Sequence, residues 1–412
     1  MSVSHAELEG AGQQVIAALR ELFDQLVDPR APQGIRHKLT SVMMITVLAA
    51  LAGAGNFREA GDAAADLPET LLALAGARIS PRTGRAQPPS GATIRRVVCE
   101  IDAAHADALV GRWLAAAVAA ARASAEAAGA TERDPQLPDG VDWLDGLALD
   151  GKTVRNSAAP GGMDVRLFSA LLHREQVVIA QIAVPEDTTE VTCVAELLDP
   201  VDLSGKVVTG DAAHTQGDAA AEYVAGTRQA HYAITVKGNR DKLLGQIWAR
   251  MPRPIEGSAD YTHEQIIGGR RIVREIWVRP GHGITFPRLE QVFRIRRQVF
   301  DLSDQRLSKE YVHGVTSLDA NQASPQQLLG LVRHHWRVEI NHQVRDVTWR
   351  EDHQHAYTGS GPQVMATIRN LALAILRLTG HRQITRTLQR IAADRTRILP
   401  ILADFPLPAM IH

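Results

Sequence analysis

The sequence predicts an α/β protein: a mixed sheet flanked by helices, with an all-helical region before it and a strand-rich region after it. Three patterns point that way. Ala, Leu and Val recur at helical spacing through residues 6–130. From 142 to 237, short apolar and β-branched runs alternate with helical stretches, the signature of a sheet covered by helices. From 238 to 318 strand patterns dominate, punctuated by Pro252, Pro254, Gly268, Gly269, Pro280 and Gly281, and from Ser324 onward the pattern is helical again. A length of 412 residues suits two or three domains.

Taken in order, helices are expected over 6–26 and 39–53, separated by the breaker Asp28-Pro29-Arg30-Ala31-Pro32-Gln33-Gly34. Helices follow over 56–66 and 103–128, the second stopped by Gly129. Between them Ser90 or Thr93 can cap a short helix that carries Arg95 and Arg96. Those two arginines read either as contacts to a DNA backbone or as a solvated face. The Ala-rich tract 113–128 keeps Trp113, Leu114 and Val118 on one face, which makes it a packed helix and not a disordered segment. Residues 130–141, with Pro135, Pro138 and Gly140, form the expected linker. Strands are expected over 146–150, 166–172, 177–184, 206–209 and 231–236, with helices near 190–198 and 216–225. Further strands fall over 270–278, 289–299 and 310–317, and helices over 325–350, 361–378 and 385–393 close the chain. No repeat of fixed period is present.

Hydrophobic residues at 45% and charged residues at 22% are ordinary for a soluble globular chain able to bury a normal core. The two cysteines, Cys99 and Cys193, form no C-x-x-C, which argues against a thiolate zinc site or a disulfide framework and fits a reducing cytoplasm. No basic-then-apolar leader opens the sequence. The most apolar stretch, 42–54, is shorter than the roughly 18–20 residues of a membrane span. A cytoplasmic protein without a membrane partner is therefore expected. The net charge is −1, but residues 1–227 hold 18 Lys/Arg against 30 Asp/Glu, and residues 228–412 hold 27 against 16. The second part can bind phosphate while the whole stays near neutral.

Asp150 and Asp211 each follow a short apolar run and precede small residues, so each is expected at the end of a buried strand. Either one alone reads more readily as a cap or turn residue. Asp142 and Asp145 compete for the first position but precede the apolar run and suit turns better. Glu339 lies in a helical stretch where His335, Glu339 and His342 share a face at i, i+4 and i+7. Arg333 and Arg337, one turn apart, could clamp phosphate. The plainer reading of this stretch is an amphipathic helix with i, i+4 ion pairs. A zinc site of His335, Glu339 and His342 is a further reading, against which stand the missing H-E-x-x-H pattern and the lack of a thiolate. Two strand-end carboxylates and one helix carboxylate can converge on a pair of divalent ions, and such a site cuts and joins phosphodiester bonds. Mg2+ suits it, since that ion takes oxygen ligands and keeps several waters.

Five blocks together resemble the DDE transposases of bacterial insertion sequences, in their H-repeat-associated (ISAs-type) branch. They are Leu149-Asp150-Gly151-Lys152-Thr153-Val154-Arg155, Val208-Thr209-Gly210-Asp211-Ala212-Ala213-His214-Thr215-Gln216, Val236-Lys237-Gly238-Asn239, His335-Trp336-Arg337-Val338-Glu339 and Asp346-Val347-Thr348-Trp349-Arg350-Glu351-Asp352. Phe23, Asp28-Pro29-Arg30, Gly34, Arg36-His37 and Leu51-Ala52-Gly53 resemble the accessory helical domain of the same family. The likeness covers residues 20–380. Departures sit around the glutamate: His335 stands where related bacterial transposases carry the Arg of Tyr-x-x-Arg, Gln343 and Asp346 where basic residues are expected, and Ile340 interrupts Glu-Asn.

The resemblance implies a ribonuclease-H-like catalytic core in which Asp150, Asp211 and Glu339 are the catalytic residues and hold two Mg2+ ions, with Mn2+ as a substitute. It implies cleavage at insertion-sequence ends followed by strand transfer into target DNA. The DNA partners are the terminal inverted repeats and the target, bound by a homodimer, nucleoid-associated in that state. It divides the chain into a helical accessory, DNA-end-binding domain (1–140), a first part of the core (141–237), a β-rich insertion (238–318) and a second part of the core with the C-terminal helices (319–412). The insertion accounts for the 128 residues between Asp211 and Glu339. Lys237, Asn239, Arg333, Arg337, Arg270, Arg271, Arg95 and Arg96 are expected at DNA, and His214, Gln216 and His335 near the site. Two rivals remain at this stage: an inactive or domesticated DNA-binding descendant, and a stand-alone nuclease of the same fold.

Overall fold

The structure, a computed structural model, describes residues 5–129, 144–158, 162–216, 218–251, 253–255, 257–354 and 358–408. The expected linker at 130–141 and Asp142 lie outside them. The N-terminal helices gather around one apolar helix. α1 (His5–Asp24) precedes α2 (Leu39–Leu51), which is buried at all 13 of its residues, as a helix apolar on every side must be. α3 (Phe57–Ala65), α4 (Glu69–Leu74), a small hairpin of β1 (Arg78–Ile79) and β2 (Ala86–Gln87), α5 (Gly91–Val98) and α6 (Ala103–Ala127) follow. Side-chain caps set the starts of α3, α5 and α6: Asn56, Ser90 and Asp102 accept from the N–H groups of Glu59, Thr93 and His105. α3 and α5 touch at Gly61 and Gly91, where a Cβ on either would run into the other segment's backbone.

The sheet begins with β3 (Asp145–Val154), β4 (Val165–Leu172) and β5 (Val178–Ala183). α7 (Val194–Leu198) leads to β6 (Lys206–Gly210), and α8 (Ala219–Ala221), continued by a π-helical turn to Thr227, leads to β7 (His231–Val236). α9 (Asp241–Arg250) precedes four long strands: β8 (Tyr261–Ile267), β9 (Arg270–Pro280), β10 (Gln291–Phe300) and β11 (Arg306–Thr316). All nine form one sheet in the order β5-β4-β3-β6-β7-β11-β10-β9-β8. β4 pairs antiparallel with both β5 and β3, and β3, β6 and β7 are parallel. This is the ribonuclease-H-like arrangement that the resemblance implies. β11 pairs antiparallel with β7, so the β-rich insertion extends the same sheet. α10 (Pro325–His335), α11 (Arg337–Thr348), α12 (Gly361–Leu378), α13 (Ile384–Ala393) and α14 (Ile398–Ala403) complete the chain. One apolar core runs from the N-terminal helices through α12 to β4 and β5, and α6 covers the β5 edge so closely that a Cβ at Gly111 would meet the Ile179 carbonyl. Among the described residues no helix is long and apolar enough to cross a membrane.

Two sequence expectations need correction where they bear on the site. β3 does not end at residue 150: its ladder with β4 continues to Val154 opposite Val165, so Asp150 stands in mid-strand and only Asp211 follows a strand end. The helix expected over 325–350 is two helices that meet at Trp336. Leu328 and Leu331 of α10 pack with Ile276, Phe293 and Ile295 of the long strands. Val338 of α11 packs with Ala148, Leu171 and Val178 of β3–β5. The break lets each segment follow its own strands. The hairpin β1–β2, α4, α9, β8 and α14 were not anticipated, being short or polar.

Candidate active site

α11 lies along β3 rung by rung. Val338 packs with Ala148, His342 Nδ1 stands 3.5 Å from Asp150 Oδ2, and Asp346 accepts from Lys152 Nζ at 2.8 Å. The rungs advance by four residues on the helix and two on the strand. Those steps rise about 6 Å and about 6.6 Å, so the two elements stay in register over three rungs. Glu339, next to Val338, is thereby carried to the side of Asp150. Asp211 arrives from β6, beside β3, as the cap of the 3₁₀ turn Ala212–Thr215, accepting from Ala213 N–H at 2.9 Å.

The three acids sense one another. Burial pushes the Asp150 carboxyl up to about 7, and the charges of Glu190, Asp211 and Glu339 push the same way. Glu339 is raised by burial and by Asp211, against the pull of Lys237. Asp211 is held below the usual carboxylate range, first by its bond from His214 Nδ1 at 3.1 Å. His335 closes the last turn of α10, where its Nδ1 lies 3.1 Å from Thr209 Oγ1 of β6, and the other side of that hydroxyl meets His173 Nε2 at 2.9 Å. Burial lowers His335 to about 4 and His342 to about 3, so both are neutral imidazoles at pH 7. The zinc reading loses its basis, since His335 and His342 sit on different helices and contact Thr209 and Asp150 separately. An anionic, oxygen-donating set bordered by neutral rings fits a hard divalent cation.

A second acidic group lies one rung further along. Among the described residues, Asp346, Glu351 and Asp352 are the one trio of potential ligands whose donor atoms all fall within 4.8 Å. Lys152 Nζ already fills it, 2.8 Å from Asp346, 3.3 Å from Asp352 and 3.8 Å from Glu351. Arg345 and Arg369 add bonds to Glu351 at 2.7 and 2.9 Å, and Glu351 stays ionised with its carboxyl down at about 2 against the opposing effect of burial. This is an ion-pair network that ties β3, α11 and α12 together.

The expected DNA-facing residues are scattered. Lys237 and Asn239 are exposed just beyond β7, with Asn239 donating to the Ala212 carbonyl at 2.7 Å beside Asp211. Arg95 and Arg96 are exposed on α5, Arg95 bonding Thr358 Oγ1 at 2.9 Å. Arg270 is exposed at the β8–β9 turn, whereas Arg271 pairs with Asp304 and Glu264. Arg333 reaches Gln265 on β8 at 3.1 Å and Arg337 the His173 carbonyl at 2.6 Å, so the two diverge. Gln216 is exposed at the end of the Asp211 turn, and His214 is buried behind it, stacked on Phe168. Much of the positive charge of the long strands is compensated internally. Arg296 makes a buried bidentate pair with Glu275 at 2.6 and 2.7 Å, Arg294 lies over Trp277, Arg279 meets Asp260, and Arg297 meets Glu310. Arg274, which meets no carboxylate among the described residues, is lowered to about 10 by burial and by Arg333 and Arg297. Sequence reasoning took Glu190 only as the start of a helix and missed that its charge acts on Asp150 and that Asp211 acts on it.

Comparison with known proteins places this geometry. Residues 144–375 match the profile described as "Transposase DDE domain", and residues 20–114 match "DDE_Tnp_1-associated". The chain is similar to "Putative transposase YncI" of Escherichia coli O157:H7, at 24% identity over 88% of each chain. It is also similar to "H repeat-associated putative transposase YhhI" of Escherichia coli K12, at 24% identity over 93% of this chain and 97% of that one. A solved structure of the piggyBac transposase in a synaptic complex with hairpin DNA aligns with 98% of this chain and 84% of its own, with a TM-score of 0.38 and 11% identity. By the span of the matched profile, which encloses all three acids, the chain belongs to the bacterial DDE transposases of the H-repeat-associated family.

Proposed function

We propose that this transposase cleaves DNA at the ends of an insertion sequence and joins the freed 3′-hydroxyl to target DNA, with Asp150, Asp211 and Glu339 holding two divalent ions, Mg2+ or in its place Mn2+. The observation that supports this reading is the mutual electrostatic influence of three carboxylates contributed by β3, the end of β6 and α11. When bound, divalent ions supply Lewis acidity and charge neutralisation at the phosphoryl group. The chain's own residues do the rest. The rigid strands fix Asp150 and Asp211, and the Thr209–His335 bond holds the end of α10, just before α11, against β6. Lys237, the cation acting on Glu339, is exposed where a backbone phosphate can reach it. Hydrolysis breaks the P–O3′ bond, forms a P–O bond to the water oxygen, and leaves a 3′-hydroxyl and a 5′-phosphate. Transesterification then forms a new P–O bond from that hydroxyl and releases another, so no covalent protein–DNA intermediate is needed. Two ends must be handled together, which calls for a homodimer on DNA. The helices of residues 1–140 serve as the end-binding unit, and the β-rich insertion holds DNA near the cut.

The test is cleavage of labelled DNA carrying the sequence that flanks the gene, in Mg2+, Mn2+ and EDTA, by wild type and Asp211→Asn. Cuts at a fixed terminal position and joined products, absent in EDTA and in the variant although the variant still binds the ends, are the expected result. Cutting without joining identifies a nuclease, and binding without cutting in either metal identifies an inactive descendant.

A further inference from the structure

Glu190 opens the 3₁₀ turn Glu190–Cys193, which a reciprocal capping box between Thr189 and Thr192 fixes just before α7. Its carboxylate lies over the backbone of β3 beside Asp150: a Cβ at position 151 would collide with Glu190 Oε1. Gly151 is therefore required there for Glu190 to occupy its place. On this face of the sheet Gly151 pairs with Phe168 of β4, and Phe168 stacks on His214 with ring centroids 5.5 Å apart. His214 is 1% exposed; its Nδ1 meets Asp211, and its Nε2 is buried without a hydrogen-bond partner among the described residues. Glu190 itself makes no hydrogen bond or ion pair among them, and His214 is the cation-forming group that acts on it most strongly. A carboxylate set against two other acids, without a hydrogen bond or ion pair of its own among the described residues and kept in place by a glycine, repels its neighbours unless a cation sits between them.

We propose that Glu190 is a fourth carboxylate of this site, holding a divalent cation together with Asp150 and Asp211 from the face of β3 opposite α11. The proposal rests on the reading of Asp150, Asp211 and Glu339 as metal ligands. It gives Gly151 and the turn before α7 a role in metal binding that the three-acid pattern does not include.

The test is Mn2+ binding to the full-length protein without DNA, read from the electron paramagnetic resonance signal of free Mn2+ and independent of catalysis. Glu190→Gln is expected to weaken binding by about 10- to 100-fold. Gly151→Ala, which keeps every acid but pushes the Glu190 carboxylate aside, is expected to weaken it as well, and the double variant to bind no more weakly than Glu190→Gln alone. A melting temperature of Glu190→Gln in EDTA at or above that of wild type shows that the variant is folded and the repulsion relieved. Wild-type Mn2+ affinity in Glu190→Gln, alongside lost affinity in Asp211→Asn, overturns the role of Glu190 and leaves the three-acid site standing. Unchanged affinity in Asp211→Asn overturns the site itself.

Discussion

Replacing Lys152 by Met removes the ammonium that locks α11 onto β3 while keeping most of the side chain's volume. In the wild type that ammonium lies 2.8 Å from Asp346, 3.3 Å from Asp352 and 3.8 Å from Glu351, and the lysine side chain is 7% exposed. Glu351 keeps Arg345 and Arg369, and Asp352 keeps Arg155 at 3.7 Å, so the carboxylate left without its cation is Asp346. Breaking a buried pair from one side costs about 3–5 kcal/mol, because the remaining charge stays desolvated. The Asp346 side chain is 32% exposed, which places the expected loss near the lower end, about 3 kcal/mol. The assay is urea unfolding with and without Asp346→Asn in a double-mutant cycle. Neutralising Asp346 in the Lys152→Met background should restore part of the loss, with a coupling of about 1–3 kcal/mol. Asp346 lies seven residues after Glu339 on the same helix, so cleavage should fall too, on the order of 100-fold for a displacement near 1 Å. A Lys152→Met protein with wild-type unfolding midpoint and slope, or a cycle in which the two changes simply add, would refute the idea that this ion pair sets the helix on the strand.

The remaining predictions concern charge. Burial and three neighbouring acids raise Asp150 to about 7 in the folded state, against an ordinary 3.8, so the folded protein binds more protons than the unfolded chain between those values. The stabilising contribution of protonated Asp150 is thus present below pH 3.8 and lost as the pH rises through about 7. In EDTA, Asp150→Asn should therefore melt higher than wild type at pH 7.5, with the gain fading toward pH 4, as differential scanning fluorimetry can record; a lower melting point at pH 7.5 would contradict the crowding of charge at the site. Arg296→Met should cost about 3–5 kcal/mol by leaving Glu275 buried and unpaired. Arg270→Ala should leave stability unchanged but weaken DNA binding and reduce its salt dependence by about one phosphate contact. Urea unfolding and binding isotherms at several salt concentrations separate the two.

What could be read from the sequence depended on how locally each feature is encoded. α2 is legible because no charged residue interrupts its apolar run, and the capped start at Ser90 is legible because capping chemistry lies within three residues. Asp150 and Asp211 stand out after their apolar runs, yet the extent of β3 does not, since Gly151 and Lys152 have poor strand character and are held by pairing with β4. The break at Trp336 is invisible, with no Pro or Gly to mark it, because it arises from two packing surfaces that one straight helix cannot serve. Arg294 and Arg296 stand in a dense run of basic residues in the sequence, and only the register of β9 against β10 reveals that they lie over Trp277 and that Arg296 pairs with Glu275. Glu190 is 40 residues from Asp150 and becomes a neighbour only through the fold.

These charges also bear on how a chain of net charge −1 engages a polyanion. The excess of 27 Lys/Arg over 16 Asp/Glu in residues 228–412 suggests a broad cationic face, but the pairing of Arg271, Arg279, Arg296 and Arg297 with carboxylates of the same strands and turns removes much of it. Exposed cations remain at the margins: Arg95 and Arg96 on α5, Arg270 at a strand turn, and Lys237 beside Glu339. At the centre the field has the opposite sign, since Asp150, Asp211, Glu339 and Glu190 together repel a phosphate. On the proposed two-ion reading, peripheral cations hold DNA without divalent ions, but the scissile phosphate approaches the acids only once cations lie among them. Binding of the duplex and admission of the reacting phosphate are then separate events, the first governed by salt and the second by occupancy of the acidic site.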